Sequence, residues 1–315
     1  MKYLWTFCAL LLVCAASLPA VSAASAPPAA PAVRSHMVVS TDWLSKHLRD
    51  PGVVVLHVAR ERTHYDAGHV SGARFVSWGD ITATRAGVPN ELAPVQDLQK
   101  LFERVGVGDR RRIVLYGDQS GLSAARAYFT LDYLGHGDRT SILDGGLEKW
   151  RTEQRPVSTE APPVAPAPFR PQVRPSAVAA LDVMRDISWA AGNLTPPGVA
   201  LIDARPFEEY TGAKPGEGVA RAGHIPGAAN VFWMQNLVSK ENPVLQPVAD
   251  LRRLYEAAGA RADAKVVTYC RTGGQAAHTY FLARYLGYDV VMYDGSFFEW
   301  NRAEGTPVTA GAEKR

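Results

Sequence analysis

Short apolar runs alternate with segments of helical periodicity along the second half of the chain. Three runs are rich in β-branched residues and have the length of buried strands: VALIDAR (199–205), AKVVTY (264–269) and YDVVMYDG (288–295). Three further segments predict helices: DLRRLYEAAGA (250–260), QAAHTYFLARYLG (275–287) and FFEWNRAEG (297–305). Strands that alternate with helices predict an α/β fold, in which a mostly parallel sheet carries helices on both faces.

The pattern occurs twice, because three motifs of the second half have counterparts in the first. AGHVSGA (67–73) matches AGHIPGA (222–228), and ILDGGLEKWRTEQRPV (142–157) matches MYDGSFFEWNRAEGTPV (292–308). Between them, IVLYGDQSGLSAARAYFTLDYLG (113–135) matches VVTYCRTGGQAAHTYFLARYLG (266–287). The order is the same in both halves, and the spacing far exceeds the repeats of about 20–50 residues found in solenoids. We therefore predict two tandem domains of one fold.

Proline-rich stretches divide the chain further. ASAPPAAPAVR (24–34) and RPVSTEAPPVAPAPFRPQVRP (155–175) are too rich in proline for helix interiors and favour extended backbone. The predicted division is a signal peptide at 1–23, a Pro/Ala-rich leader at 24–36, an N-terminal domain at 37–157, a linker at 158–176 and a C-terminal domain at 177–309.

The N-terminus has the three parts of a secretory signal. Lys2 precedes an apolar stretch over 4–18, which is shorter than the roughly 20 residues of a membrane-spanning helix. Val21 and Ala23 are small residues at the positions that a signal peptidase reads, so we expect cleavage after Ala23, with Ala26 as the second choice. An uncleaved anchor is the alternative. Cleavage predicts a periplasmic or secreted protein with no membrane attachment.

Signal cleavage changes the cysteine count. Cys8 and Cys14 lie inside the signal, so the mature chain keeps only Cys270. An intramolecular disulfide is then excluded, and a lone cysteine in an exported protein indicates a free reactive thiol or an intermolecular bridge. A zinc site built on cysteine is disfavoured as well, because such sites use several Cys or His ligands at short spacing.

Composition narrows the function only slightly. The 315 residues are 47% hydrophobic and 21% charged, which is ordinary for two globular domains. The net charge of +3 is too small to indicate nucleic acid or a membrane surface as partner.

The loop CRTGGQA (270–276) joins a predicted strand to a predicted helix. Ligands of parallel α/β sheets bind beyond the carboxyl ends of the strands, and Cys270 stands at such an end. Gly273 and Gly274 permit a tightly curled backbone whose N–H groups can hold an anion next to a helix N-terminus. Together with the charge of Arg271, this predicts a nucleophilic thiol with a lowered pKa.

Two other interpretations of Cys270 were weighed. A free cysteine is often a small core residue, although the strand end, the glycine pair and Arg271 argue against that here. A phosphatase loop requires an arginine six positions after the cysteine, and this chain has Ala276 there. A sulfur-transfer loop requires only the ring of N–H groups and a positive charge.

The chain resembles the tandem-domain rhodaneses, the thiosulfate and 3-mercaptopyruvate sulfurtransferases. The motifs that carry the resemblance are CRTGGQA (270–276), AGHIPGA (222–228), LIDARPFEEY (201–210) and YDGSFFEW (293–300), with a degenerate copy of each in the first half. The resemblance covers nearly all of the mature chain. It implies two rhodanese-like α/β domains, of which the second is catalytic and the first is a non-catalytic scaffold and pocket wall.

The resemblance also implies residue roles. Cys270 would take a sulfur atom from a small anionic donor and pass it to a thiophilic acceptor, with no cofactor or metal. Substrate-binding residues would be Arg271, Thr272, Gly273, Gly274, Gln275 and Arg205. Arg271 favours thiosulfate over 3-mercaptopyruvate, because the mercaptopyruvate enzymes usually carry glycine there; Thr272, where some thiosulfate enzymes have a second basic residue, weakens this inference. The alternatives are a mercaptopyruvate enzyme and a non-enzymatic persulfide carrier or interaction module.

Some conspicuous residues are expected to be structural. For Arg205 an ion pair with Glu208 or Glu209 is as good an interpretation as substrate binding, and Asp203 beside it is expected to anchor the loops. His224 and its counterpart His69 belong to a structural signature of the family. Trp150 and Trp300 are expected in the core. The first half has Gly117 at the position of Cys270, followed by Asp118, so it has no thiol. A monomer is expected.

Overall fold

The computed structural model describes residues 30–192 and 198–313. The predicted signal peptide, its cleavage site, Cys8 and Cys14 lie outside the described residues. Among the helices of the described ranges, none is both long and apolar enough to cross a membrane.

The first half forms a five-stranded parallel sheet in the order β1-β8-β7-β2-β4. Two short antiparallel pairs, β3 with β9 and β5 with β6, lie outside it. In chain order the elements are β1 Val38–Val39, α1 Thr41–His47, β2 Val53–Ala59, α2 Arg62–Asp66, β3 His69–Val70, β4 Arg74–Ser77, α3 Trp78–Ile81, β5 Thr82–Arg85, β6 Val88–Leu92, α4 Val95–Arg104, β7 Arg112–Gly117, α5 Leu122–Tyr133, β8 Thr140–Leu143, α6 Gly146–Thr152 and β9 Val157–Ser158.

The second half repeats this sheet with the order β10-β14-β13-β11-β12, again parallel throughout. Its elements are β10 Val178–Ala179, α7 Leu181–Gly192, β11 Val199–Asp203, α8 Phe207–Thr211, β12 Ala229–Asn230, α9 Val248–Ala257, β13 Lys265–Tyr269, α10 Gly274–Tyr285, β14 Asp289–Tyr293 and α11 Ser296–Arg302. The predicted fold class, two tandem α/β domains with parallel sheets, is confirmed.

Each sheet buries both faces, as its nearly continuous apolar strands require. Along β2, Val54, Leu56 and Val58 belong to one hydrophobic cluster, and Val55 belongs to a second cluster on the other face. The first of these clusters also contains Ile202 of β11, so it continues from one half into the other. The two halves therefore share a core across their boundary.

The helices that follow the two central strands pack against each other at this boundary. Tyr128 of α5 meets Phe281 of α10 edge to face, with ring centroids 4.8 Å apart. Phe129 and Tyr280 repeat the contact at 5.1 Å, with the roles of the two helices exchanged. The domains are thus related by an approximate two-fold arrangement, which brings the carboxyl end of each sheet close to the other domain.

Each half also extends an arm onto the other. The N–H of Leu92, at the end of β6, donates to Oδ2 of Asp294 at 2.7 Å. Reciprocally, the N–H of Leu245 donates to Oδ1 of Asp144 at 3.0 Å. The two aspartates are the matched residues of ILDGG and MYDGS, so this part of the duplicated motif joins the domains.

The Pro/Ala-rich leader and the linker each end in the same kind of backbone hydrogen bond to the last turn of a helix in the other or preceding half. The N–H of Arg34 donates to the carbonyl of Tyr285 at 2.8 Å, and the N–H of Arg174 donates to the carbonyl of Tyr133 at the same distance. Residues 159–174 contain no helix or strand, in keeping with their prolines. They are nevertheless packed, because Phe169 is buried against Phe102.

Candidate active site

Cys270 follows β13 directly, at the carboxyl edge of the second sheet. Its side chain lies at the base of a cavity of about 180 Å³, and the residue is only 2% exposed. The cavity is lined by residues of both halves: Arg60, Trp78, Leu122, Cys270, Arg271, Thr272, Gly274 and Gln275. The structure therefore brings Cys270 and four of the six expected substrate-binding residues together, at the boundary between the domains.

The loop backbone curls around the sulfur. The N–H of Gly273 donates to Sγ of Cys270 at 3.1 Å, and the N–H groups of Thr272 and Ala276 also stabilise the thiolate. Gly273 thus contributes its N–H group and does not line the cavity. Of the N–H groups expected from 271–275, those of Thr272 and Gly273 contact the sulfur, and Ala276 adds a third.

The expected lowering of the thiol pKa is wrong. Burial raises the pKa of Cys270 above its ordinary value, and the three N–H groups only partly oppose that rise. The sequence could not indicate this, because the burial of Cys270 depends on packing between residues far apart in the chain. Arg271 does not reverse the effect: its Nη1 lies 3.9 Å from Oε1 of Glu209, and its side chain remains 38% exposed.

The two loop glycines serve different purposes. Gly273 has φ of +88°, and a Cβ there would lie 3.0 Å from Nη1 of Arg126. Gly274 begins α10 with helical backbone, so the expected special conformation is absent there. It is instead a place of close approach, since a Cβ would lie 3.1 Å from Cη2 of Trp78.

The motif YDGSFFEW (293–300) holds the backbone of Cys270 by hydrogen bonds. The N–H of Cys270 donates to Oγ of Ser296 at 3.3 Å, and the carbonyl of Cys270 accepts from the N–H of Phe297 at 2.9 Å. Ser296 has a φ of +54°, a left-handed conformation that L-residues rarely adopt. Such strain persists only where surrounding contacts hold it, and it is common at functional sites.

An ion pair joins the motif YDGSFFEW, through Asp294, to Arg126 of the first domain. Nη1 of Arg126 lies 2.5 Å from Oδ1 of Asp294, and both side chains are almost fully buried. Arg126 also donates to the carbonyl of Asn90, whose side-chain amide donates to Oγ1 of Thr272 at 3.3 Å. Trp78 completes the set by donating from Nε1 to Oδ1 of Asn90. The β5–β6 arm therefore fixes Thr272 and the wall of the cavity.

Arg205 is not brought to this cavity. Its guanidinium is buried, with Nε 3.0 Å from both carboxylate oxygens of Asp203 and Nη2 donating to the carbonyl of Gly223 at 2.8 Å. The ion-pair interpretation describes its surroundings, although the partner is Asp203 and not Glu208 or Glu209. The pair ties the end of β11 to the AGHIPGA segment.

The remaining conspicuous residues are structural, as expected. His224 is buried and stacks on Tyr210 with centroids 3.8 Å apart, and His69 stacks on Tyr65 at 3.7 Å. Trp150 and Trp300 are fully buried. Within 30–192 and 198–313, no group of three or more His, Cys, Asp and Glu side chains could hold a metal ion.

The first-half copy of the loop borders a cavity of only about 30 Å³ and has no room for a side chain at the position of the cysteine. A Cβ on Gly117 would overlap the carbonyl oxygen of Val58 and lie 3.0 Å from the N atom of Ala124. Asp118, at the position after it, accepts from Ser123 and lies 3.0 Å from Nδ1 of His64. No thiol could stand at Gly117 without moving the strands.

A model of the rhodanese-like domain matches the chain twice, at residues 40–153 and 186–303. The chain belongs to the rhodanese family. It is 36% identical over 290 residues to a "Sulfur carrier protein TtuD" of Thermus thermophilus, an alignment that covers 88% of this chain and 98% of the relative. A "Putative thiosulfate sulfurtransferase" of Saccharopolyspora erythraea is 32% identical, with coverage of 87% and 96%.

Solved structures of low sequence identity share this rhodanese fold. A crystal structure of YnjE superposes with a TM-score of 0.78 at 21% identity, covering 89% of this chain and 70% of that one. An anaerobic ergothioneine biosynthesis enzyme from Chlorobium limicola, in complex with trimethyl histidine, gives a TM-score of 0.77 at 22% identity, with coverage of 89% and 71%.

The sequence reasoning missed the first-half residues of this rhodanese cavity: Arg60, Trp78 and Leu122, with Asn90 behind them. Leu122 could have been predicted from the sequence, because it aligns with Gly274 in the duplicated strand–loop–helix motif. Arg60, Trp78 and Asn90 carry no such signal, since they reach Cys270 only through the packing of one domain on the other.

Proposed function

We propose that the protein is a sulfurtransferase that carries a sulfane sulfur on Cys270. The observation that supports this most directly is the Sγ of Cys270, ringed by backbone N–H groups at the base of a cavity with two arginines in its walls. An N–H ring next to a cationic wall suits a small anionic donor and a persulfide anion. Family membership and the names of the relatives agree with this chemistry.

The proposed donor is thiosulfate, favoured by Arg271. The Cys270 thiolate attacks the outer sulfur of the donor, and a new S–S bond forms as the original S–S bond breaks. Sulfite leaves with the electron pair, and the persulfide remains on Cys270. A thiophilic acceptor, cyanide or a thiol, then takes the outer sulfur and restores the thiolate, which is a two-step covalent cycle.

Intact-protein mass spectrometry tests this proposal. Wild-type protein mixed with thiosulfate is expected to gain one sulfur, about 32 Da, and to lose it on addition of cyanide. Cys270→Ser is expected to gain nothing while retaining its melting temperature. A wild-type protein without the mass increase would overturn the enzymatic proposal.

Turnover on two donors separates the alternatives. A large preference for 3-mercaptopyruvate would replace thiosulfate as the donor. A persulfide that forms but is not released to cyanide or small thiols would favour the carrier function, which the name of the Thermus relative suggests for that protein.

We also propose that the mature protein is exported, on the basis of the sequence of residues 1–23. A monomer is proposed as well, because the two domains cover apolar surface on each other. Mass spectrometry of protein from the periplasmic or culture fraction is expected to give a chain that begins at Ala24. A full-length chain in the membrane fraction would contradict this proposal.

A further inference from the structure

Arg60 stands at the end of β2, in the half that has no thiol. Its guanidinium carbon lies 4.5 Å above the centroid of the Trp78 ring, and both residues line the cavity of Cys270. Stacking on tryptophan is a favourable position for an arginine and fixes the side chain without neutralising its charge. Trp78 is itself held by its hydrogen bond to Asn90.

No counter-charge cancels Arg60. In the described parts of the chain no carboxylate lies within salt-bridge distance of its guanidinium, although the residue is exposed to the cavity and solvent. Asp118 accepts a hydrogen bond from the backbone N–H of Arg60 and is also bound by Ser123 and His64. Arg271, the other cation of the cavity, has Glu209 nearby. Arg60 is therefore the less neutralised of the two.

The two sheets differ in charge where β2 and β11 end. The first sheet pairs His57 with Tyr116, where the second pairs Asp203 with Tyr269. Asp203 draws Arg205 into the core, whereas burial lowers the pKa of His57 to about 4 and leaves it neutral. Within the described residues, the first half thus has no counterpart of the ion pair between Asp203 and Arg205. By the same register Ala59 stands at the position of Arg205, and Arg60 follows it.

We propose that Arg60 binds the anionic group of the sulfur donor that is farther from Cys270, and so makes the site selective for doubly charged donors. The inference rests on the proposed sulfurtransferase function and adds a specificity residue from the non-catalytic half. When Sγ attacks the outer sulfur, negative charge accumulates on the departing sulfite. An arginine facing it strengthens binding of the donor and of the leaving group.

Two donors that differ in charge test this. Thiosulfate is a dianion, and methanethiosulfonate replaces one of its oxygens with a methyl group and is a monoanion. Each leaves a persulfide on Cys270, with sulfite or methanesulfinate as the leaving group. The measured quantity is the second-order rate constant of persulfide formation in single turnover, followed by rapid-quench mass spectrometry, so that no acceptor is involved.

Arg60→Gln is expected to lower the rate constant for thiosulfate about tenfold or more, and that for methanethiosulfonate about threefold or less. Arg60→Lys is expected to retain most of the selectivity. Arg62→Gln is the matched control, because Arg62 lies two residues away, over Tyr65 and Phe75 and outside the cavity, and it should change neither constant.

The inference would be overturned if Arg60→Gln lowered the rate constants for both donors equally, or lowered neither. It would also be overturned if Arg62→Gln lowered the rate constant for thiosulfate as much as Arg60→Gln does, because that would indicate long-range attraction only. Unchanged melting temperatures confirm that the variants fold. If the wild-type protein formed no persulfide from either donor, the sulfurtransferase proposal itself would fail. A failure of Arg60 alone leaves the wild-type persulfide intact, so the two failures are distinguishable.

Discussion

The loop after β13 and its counterpart after β7 are built on the same strand, helix and neighbouring motif, yet the cavities beside them differ in volume, about 180 Å³ at Cys270 against about 30 Å³ at Gly117. At Cys270 the backbone leaves room for a side chain beneath a cavity that the other domain covers. At Gly117 a Cβ has no space, because the Val58 carbonyl lies against it. The comparison shows that the copy without a thiol still packs against the other half, through the α5–α10 contacts.

At the boundary between the halves, the backbone hydrogen bonds occur in matched pairs, but the side chains at matched positions differ in charge. Asp144 and Asp294 each accept an N–H from the opposite arm. Arg126 and His278 occupy the same position on α5 and α10, but only Arg126 forms a buried ion pair, whereas burial lowers the pKa of His278 to about 4 and keeps it neutral. At this matched pair of positions, only the side that carries the thiol has a charged contact. A second buried ion pair between the halves, Asp132 of α5 with Arg284 of α10, lies further along the same two helices.

The largest effect on persulfide formation is expected from moving the cysteine to position 117. A double variant, Gly117→Cys with Cys270→Ser, should form no persulfide at position 117, because the new Cβ collides with backbone on β2. The collision should also cost about 1–3 kcal/mol of stability relative to Cys270→Ser alone. Mass spectrometry with thiosulfate and urea unfolding measure both. A persulfide on residue 117 would mean that the two loops differ less than the structure indicates.

Removing the ion pair between Arg126 and Asp294 comes next, and its effect is on the free energy of unfolding. Arg126→Met leaves the Asp294 carboxylate buried without its partner, and this is expected to lower the free energy of unfolding by about 3–5 kcal/mol. His278→Leu, the matched change in the other half, should cost less than about 1.5 kcal/mol, since no charge is left unpaired. Urea unfolding of both variants measures this, and equal losses would contradict the inequality of the two sides.

The buried thiol makes a prediction about pH. Because burial raises the pKa of Cys270, the thiolate is the minor form near neutrality. The rate of persulfide formation at low thiosulfate should therefore increase about tenfold per pH unit from pH 6 to 8 and continue to rise beyond pH 9. A rate that levels off near pH 7 would restore the lowered pKa that the sequence suggested.

The raised pKa also affects stability. Below the pKa of the unfolded thiol both states are neutral, and Cys270 has no effect on the pH dependence of folding. As the pH rises above that value, the unfolded state ionises first, so stability is lost up to the folded pKa. The Cys270→Ser variant should lack this loss above about pH 8.5, which unfolding measurements at pH 7 and pH 10 can check.

The smallest effect is expected at Ser296. Gly146 stands at the matching position of the first half, with φ of +56° against +54° for Ser296. Ser296→Gly should relieve strain and lose the hydrogen bond from the Cys270 N–H, leaving stability within about 1 kcal/mol. Persulfide formation should slow a few-fold because the loop is less firmly held. A variant that is markedly less stable, with unchanged persulfide formation, would show that the serine is retained for folding alone.

Several features could be predicted from the sequence because they follow from local pattern. Strand and helix periodicity gave the α/β class, and the repeated motifs gave the duplication. The position of Cys270 between a strand and a glycine pair was sufficient to identify the loop. His224 and Trp300 were expected to be structural, and both are buried.

Other features could not be predicted, because they depend on contacts between the halves. The reason for Gly274 is the ring of Trp78, which is 196 positions away in the chain. The direction of the Cys270 pKa shift follows from its burial in the folded chain. Arg205 is held by the Asp203 carboxylate, which was expected to anchor the loops. The exposed arginine of the site, Arg60, belongs to the half that had been assigned no chemistry.

The sequence alone therefore determined the two domains and the strand–loop–helix position of Cys270, the proposed nucleophile, because strand length, helix periodicity and glycine conformation are properties of short segments. Only the tertiary structure decided how the thiol is buried, which cations face it and which glycine is needed for space. Those properties depend on dielectric environment and on distances between residues far apart in the chain, and both exist only once α5 has packed against α10.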